Sequence, residues 1–220
     1  MSRFTSTERV KSISRLCCYD NGMRIIGGEN GGRKLKTPPG KKIRPSSERV
    51  REAIFDVLGE YVRDTRVLDL FAGTGALGME ALSRGAREAV FVDNSSQAVT
   101  LIEENLKLLS GGSRAQVIRS TVDRYLKRAK GSDPPYDLIF TDPPYRIDVK
   151  YLQQIIIEIT EGNLLSSQGI LVVEGPERRG PLEGTKDLVL IKRKIYGETA
   201  VDFYQRRSGG PSKGGKPSET

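Results

Sequence analysis

Short apolar runs alternate along most of this chain with apolar stripes at three- and four-residue spacing, the pattern of a parallel sheet joined by crossover helices. Val67 to Phe71, Glu88 to Val92, Ala115 to Arg119, Tyr136 to Thr141 and Gly169 to Glu174 predict five strands. Ala76 to Arg84 predicts a helix that Gly85 ends, and Val99, Ile102, Leu106 and Leu109 stripe a second that stops at Gly111-Gly112. Ser120-Thr121-Val122-Asp123 leads into a short helix through Leu126 and Ala129, and Leu152, Ile155, Ile156 and Ile159 mark another. Leu188 to Tyr196 and Thr199 to Arg206 are strand-like runs joined only by Gly197-Glu198. That link is too short for a crossover, so the sheet is expected to finish in an antiparallel hairpin.

The chain ahead of this sheet reads differently. Met23 to Ile26 and Arg33 to Lys36 flank a turn with four glycines and predict a small hairpin. Pro45-Ser46-Ser47-Glu48 predicts a helix start with a serine N-cap. Val50, Ile54, Val57 and Leu58 form the buried stripe of that helix, with Arg49 and Arg51 off it and free to face a site or solvent. Residues 23–61 are therefore expected to form an appendage to a sheet domain at 62–207. Residues 1–22 suit a disordered extension or an over-long start, with an organelle transit segment as the alternative. From Ser208 the Gly, Ser, Pro and Lys content predicts a disordered tail over 208–220.

Composition narrows the chemistry. The 220 residues carry a net charge of +8, which favours a polyanionic partner. There is no histidine, which removes Ser-His-Asp and Cys-His catalysis and every histidine metal site. The only two cysteines, Cys17 and Cys18, are adjacent and support neither a disulfide framework nor zinc, so no metal is expected. No apolar run is long enough to span a membrane. The expected setting is cytoplasmic, or a plastid or mitochondrion if residues 1–22 are a transit segment.

The first strand runs into Gly73, Gly75 and Gly78 in G-x-G-x-x-G spacing, ahead of a helix. Backbone N–H groups at such a turn approach a ligand closely. Asp93 ends the next strand twenty residues beyond Gly73, the spacing at which a carboxylate grips the ribose hydroxyls of a nucleotide. Nicotinamide dinucleotides share this arrangement. Asp69, inside the first strand, tilts the choice, because a pyrophosphate turn has no use for a negative charge and a cationic amino group does. Asp142-Pro143-Pro144-Tyr145 closes the fourth strand. Together the D-x-F-A-G-T-G and D-P-P-Y runs resemble motifs I and IV of the S-adenosylmethionine-dependent amino-methyltransferases, whose doubly wound Rossmann-like sheet also ends in an antiparallel hairpin.

That resemblance implies roles. Asp69, Phe71, Gly73 and Gly75 would hold the methionine end of S-adenosylmethionine, Asp93 and Asn94 the ribose, and Thr121 and Val122 the adenine. Asp142 and the Pro143 carbonyl would accept both hydrogens of a target amine, Pro143 and Pro144 would hold that carbonyl by their fixed φ, and Tyr145 would stack on an extruded base.

Met23 to Gly28, Gly32 to Leu35 and Arg44 to Ala53 are also similar to the N-terminal signature of the RsmD-type ribosomal RNA methyltransferases. Asp202-Phe203-Tyr204-Gln205-Arg206 fits the same pattern, so the likeness covers about residues 23 to 207. It implies methylation of the N2 amine of a guanine in 16S rRNA, of the guanine 966 type, by a monomer acting on ribosomal RNA or the small subunit. Arg24, Arg33, Lys34, Lys36, Lys41, Lys42 and Arg44, opposed in that segment only by Glu29, would hold RNA phosphates; an ordinary solvated face is the alternative. The chain departs from the family at residues 1–22, at Thr121, where an Asp or Asn is usual, and in its tail. A DNA adenine-N6 or cytosine-N4 methyltransferase and a non-catalytic RNA-binding assembly factor are the other readings.

Overall fold

The computed structural model describes residues 22–38, 45–131, 134–144 and 146–207, with the side chains of 45–47 also left aside. The expected tails at 1–22 and 208–220 lie almost wholly outside these residues, as do Lys41, Lys42, Arg44 and Tyr145 and the expected serine N-cap.

Seven strands form one sheet. They are β1 (Arg66–Leu70), β2 (Glu88–Asp93), β3 (Ala115–Arg119), β4 (Tyr136–Thr141), β5 (Leu165–Pro176), β6 (Leu188–Tyr196) and β7 (Thr199–Arg206). Their order is β3-β2-β1-β4-β5-β7-β6, and only the contacts of β7 are antiparallel. The expected doubly wound sheet with a closing hairpin is what forms. β7 slots between β5 and β6, so the hairpin adds two strands to one edge. The fifth strand begins at Leu165, four residues before the expected start, because Leu165 pairs with Tyr136 across a register shift.

Strand alternation sends side chains to two faces. Leu68, Leu70, Ile139, Leu171 and Val173 pack against α4 (Val122–Ala129) and α5 (Val149–Glu161). Val67, Phe91, Phe140, Val172 and Phe203 pack against α1 (Pro45–Leu58), α2 (Ala76–Ser83) and α3 (Ser96–Leu106). Among the described residues no helix is long and apolar enough to cross a membrane.

The N-terminal hairpin and helix pack directly onto the sheet. Ile25, Leu35, Val50, Ile54 and Phe55 are all buried in the same cluster as the sheet residues. The expected hairpin forms around one antiparallel bridge, Arg24 to Lys34, with Leu35 N–H donating to Met23 O, Ile25 N–H to Arg33 O and Gly32 N–H to Ile25 O. Its turn also hydrogen-bonds to the helix beneath. Ile26 and Gly27 donate their N–H groups to the buried Glu80 carboxylate at 2.7 and 2.8 Å. Asn30 N–H donates to Ser83 Oγ at 2.9 Å, and the Ser83 hydroxyl donates to Gly27 O at 2.6 Å. Gly28 has φ +75°, and a Cβ there would stand 1.9 Å from Ser83 O, so only glycine lets the turn lie this close. Asn105 of α3 fixes the far end, accepting from Lys36 N–H at 2.7 Å and donating to Lys36 O at 3.0 Å.

Candidate active site

The ligand edge of a doubly wound sheet lies where neighbouring strands send their connections to opposite sides. Here that point falls between β1 and β4, whose C-terminal ends carry the glycine turn and the D-P-P-Y turn. Phe71 leaves β1 with φ +59°, half-buried, turning the chain so that the loop backbone faces the crevice. Gly75 caps α2 with φ +75°, where a Cβ would stand 2.8 Å from Met79 Cε, so the turn needs glycine for both conformation and space.

Asp93 ties this loop together. Gly73 N–H donates to its Oδ2 and Ser95 N–H to its Oδ1, both at 2.9 Å. A carboxylate has about four acceptor positions, so each oxygen retains capacity for a hydroxyl. Asn94 beside it is exposed. Thr121, exposed, caps α4 by accepting from Arg124 N–H at 3.4 Å, whereas Val122 is buried against the α4/α5 face of the sheet. The contribution open to Val122 is thus mainly backbone.

Asp69 does more than sequence suggests. Only 2% exposed, it accepts the Gly78 N–H at 2.9 Å and so ties β1 to the first turn of α2. Burial pushes its carboxyl up to about 8 against the help of that hydrogen bond, with Asp142 and Asp93 adding repulsion. Asp142 is open at its surface but flanked closely by protein, and that desolvation raises its carboxyl to about 6. Pro143 is buried and Pro144 exposed; Pro144 O accepts the Ile147 N–H at 2.9 Å, closing the turn. A cleft holding Asp69, Asp93 and Asp142 is unfavourable for a pyrophosphate and suits a ligand carrying positive charge, as the sulfonium and ammonium of S-adenosylmethionine do.

One charged residue, Glu174, escaped sequence reasoning, and a second, Arg51, is placed by it only as free to face a site or solvent. Glu174 lies one position beyond Val173, the register partner of Thr141, so it sits beside Asp142 on the same sheet edge. It is half-buried, and burial, then Asp142, push its carboxyl up to about 8 while Arg51 opposes the shift. Arg51 is 4% exposed and not free: it donates to Arg24 O at 2.6 Å and lies 3.7 Å from Glu80. Apolar periodicity cannot detect an arginine buried for its charge. The place of Glu174 at the carboxyl end of a strand was the available signal.

Residues 23–205 match the family described as Conserved hypothetical protein 95. The Escherichia coli protein named Ribosomal RNA small subunit methyltransferase D is 35% identical over 86% of this chain and 93% of its own length. The chain belongs to the RsmD family. A solved structure of the Escherichia coli protein yhhF superposes with a TM-score of 0.74 at 31% identity, covering 86% of this chain and 99% of the other. At 18% identity, SMU.776 in complex with SAH shares the fold alone, with a TM-score of 0.62 over 74% of this chain and 50% of its own.

The basic residues of this RsmD-family chain are less isolated than their sequence context suggests. Arg24 Nε pairs with Glu48 at 2.7 Å and Lys36 Nζ with Glu104 at 2.9 Å, so acids from α1 and α3, not only Glu29, oppose the cluster. The Arg33 guanidinium donates to Leu108 O. Arg24, Arg33, Lys34 and Lys36 are nonetheless all exposed on the surface of the N-terminal segment. Exposed pairs of this kind are worth at most about 1 kcal/mol and exchange readily for a phosphate.

Proposed function

We propose that this protein transfers the methyl group of S-adenosylmethionine to the exocyclic N2 amine of a guanine in small-subunit ribosomal RNA. The observation that carries the reading is the Asp142-Pro143-Pro144 turn standing one strand from Asp69 and the glycine loop, in a chain of the RsmD family. The name of the Escherichia coli relative supports rRNA as substrate, and SAH in a fold neighbour supports the cofactor.

When bound, S-adenosylmethionine supplies an electrophilic methyl carbon on a sulfonium. Asp93, with Asn94 beside it, would hold the ribose hydroxyls, and Thr121 and the Val122 backbone would border the adenine. Asp69 faces the ammonium, whose positive charge offsets the repulsion among the three aspartates. Phe71, Gly73 and Gly75 shape the backbone around the methionine end. The amine of guanine is a poor nucleophile because its lone pair is delocalised into the ring. Asp142 and Pro143 O accept its two hydrogens and draw the nitrogen toward tetrahedral geometry, aiming the lone pair into the cleft. Pro144 stiffens the turn, and Tyr145 stacks on the base. Positioning carries most of the rate, and the surplus proton of the product leaves to water without a dedicated base. Arg24, Arg33, Lys34 and Lys36, with Lys41, Lys42 and Arg44, hold phosphates of the RNA.

Tritium transfer from labelled cofactor tests this on assembled small subunits, naked 16S rRNA and duplex DNA, followed by digestion to nucleosides. Label in N2-methylguanosine from the rRNA is the expected outcome. Label in N6-methyladenosine or in DNA, or none at all, overturns the reading.

A further inference from the structure

A cavity of about 330 Å³ opens beside the D-P-P-Y turn, on the β5 side. It has the size of a small-ligand site. Val149 and Leu152 of α5 line it with Pro143, Pro144 and Ile147, so it lies on the α5 face of the sheet, and Glu174 borders it at the strand. β4 and β5 are hydrogen-bonded neighbours with Thr141 opposite Val173, so Asp142 and Glu174 leave adjacent strands side by side, about 5 Å apart at the backbone. Continuing the alternation of Phe140 and Val172, both point to the α1 side of the sheet. Asp142 is assigned above to the amine; Glu174 has no assigned task. Among the described residues no hydrogen-bond donor reaches its carboxyl group, and its charged neighbours are Asp142 and the buried Arg51. A half-buried acid held beside a like acid is costly, and the positive charge of the buried Arg51 is what offsets it.

Guanine carries its N1–H next to the N2 amine, so two donors lie side by side on one edge. Two acceptors one strand apart match that edge. We propose that Glu174 is the specificity-determining residue of the site: an oxygen of its carboxyl group accepts the guanine N1–H while Asp142 and Pro143 O hold the N2 amine. The inference rests on the guanine-N2 reading above and adds the residue that selects the base. An ionised Glu174 accepts through either oxygen; a protonated one accepts through its carbonyl and donates to O6. Only the ionised form discriminates, because the protonated acid can also donate to an N1 lone pair. Adenine, and a purine with an amine at position 2 but no N1–H, turn the N1 lone pair toward Glu174 instead.

The test replaces the methylated guanine by 2-aminopurine in 16S rRNA assembled by splinted ligation and reconstituted into small subunits. 2-Aminopurine keeps the 2-amine and lacks both N1–H and O6. Wild-type protein is expected to prefer guanine by at least about a hundredfold in kcat/KM, as sites built to hydrogen-bond their substrate do. Glu174→Ala should lower kcat/KM on guanine by about 10- to 100-fold and leave 2-aminopurine unchanged or faster, collapsing the ratio. Glu174→Gln, whose amide accepts from N1–H but also donates to the N1 of 2-aminopurine, should keep more activity on guanine than Glu174→Ala while the ratio stays low. Cofactor affinity of each variant, measured by calorimetry, reports folding independently. An equal fall on both bases, or an unchanged ratio in Glu174→Ala, overturns the role of Glu174. If wild-type protein produces no N2-methylguanosine on the guanine-containing subunits, the parent reading fails, and this inference with it.

Discussion

In the function proposed above the chemistry turns on Asp142, and its environment makes a two-part prediction. Desolvation raises its carboxyl from the ordinary 3.8 to about 6. Only the ionised form accepts well from an amine whose nitrogen gains positive charge as the methyl arrives, so that interaction strengthens toward the transition state. A lost charge-assisted hydrogen bond costs about 2–3 kcal/mol, which is roughly thirty- to two-hundredfold in rate. Asp142→Ala should therefore lower kcat by that factor with little change in KM for small subunits. The second part concerns pH. With the pKa raised, the active ionised form is lost as pH falls through about 6, so wild-type kcat should drop about tenfold per unit below that value. Asp142→Asn keeps a neutral acceptor and has no proton to take up. It should be slower near pH 8 yet flat across the range where wild type declines. Steady-state tritium transfer at constant ionic strength between pH 5 and 8.5, with the Glu174→Gln variant run alongside to silence the neighbouring acid, measures both parts. Full kcat in Asp142→Ala, or an acidic decline that persists unchanged in Asp142→Asn, would refute the assignment.

Other positions give sharper structural readouts. Asp93→Ala removes the acceptor of both Gly73 N–H and Ser95 N–H, and should weaken S-adenosylmethionine binding by about 1–3 kcal/mol in calorimetry; unaltered affinity sinks the ribose role. The Asp69 carboxyl, raised to about 8 in the folded protein, binds a proton there that the unfolded chain gives up near its ordinary pKa, so stability declines as pH rises from about 4 to 8. Asp69→Asn should flatten that decline in the melting temperature of the cofactor-free protein, and an identical slope in both proteins would mean Asp69 does not titrate in this range. Gly28→Ala forces a Cβ onto Ser83 O in a positive-φ turn and should cost about 2–4 kcal/mol in urea unfolding, an outcome that a change under 0.5 kcal/mol, the scale of ordinary surface substitutions, would contradict.

Much of this architecture is already written in local pattern. Apolar runs with period two and stripes with period near 3.6 depend only on neighbours within a few residues, so β1 to β7 and the helices between them could be read from the chain. The two-residue link Gly197-Glu198 forced the closing hairpin for a purely geometric reason. Motif chemistry was equally local: Gly73, Gly75, Asp93 and Asp142 each belong to one short segment whose spacing carries the meaning. Three-dimensional packing decided the rest. Arg24 to Lys36 looked like a basic appendage because its acidic partners, Glu48 and Glu104, and the buried Glu80 that holds Ile26 and Gly27, lie far along the chain. Apolar periodicity leaves Arg51 free to face a site or solvent because it does not place a charge, whereas here Glu80 and Glu174 favour its burial. Glu174 became part of the site only when β5 docked beside β4, since register between strands is a property of the sheet and not of either segment. Sequence alone picked out the segments proposed to carry the chemistry; tertiary structure decided which charges face one another, because Coulomb energy and desolvation depend on distances that only the packed fold sets.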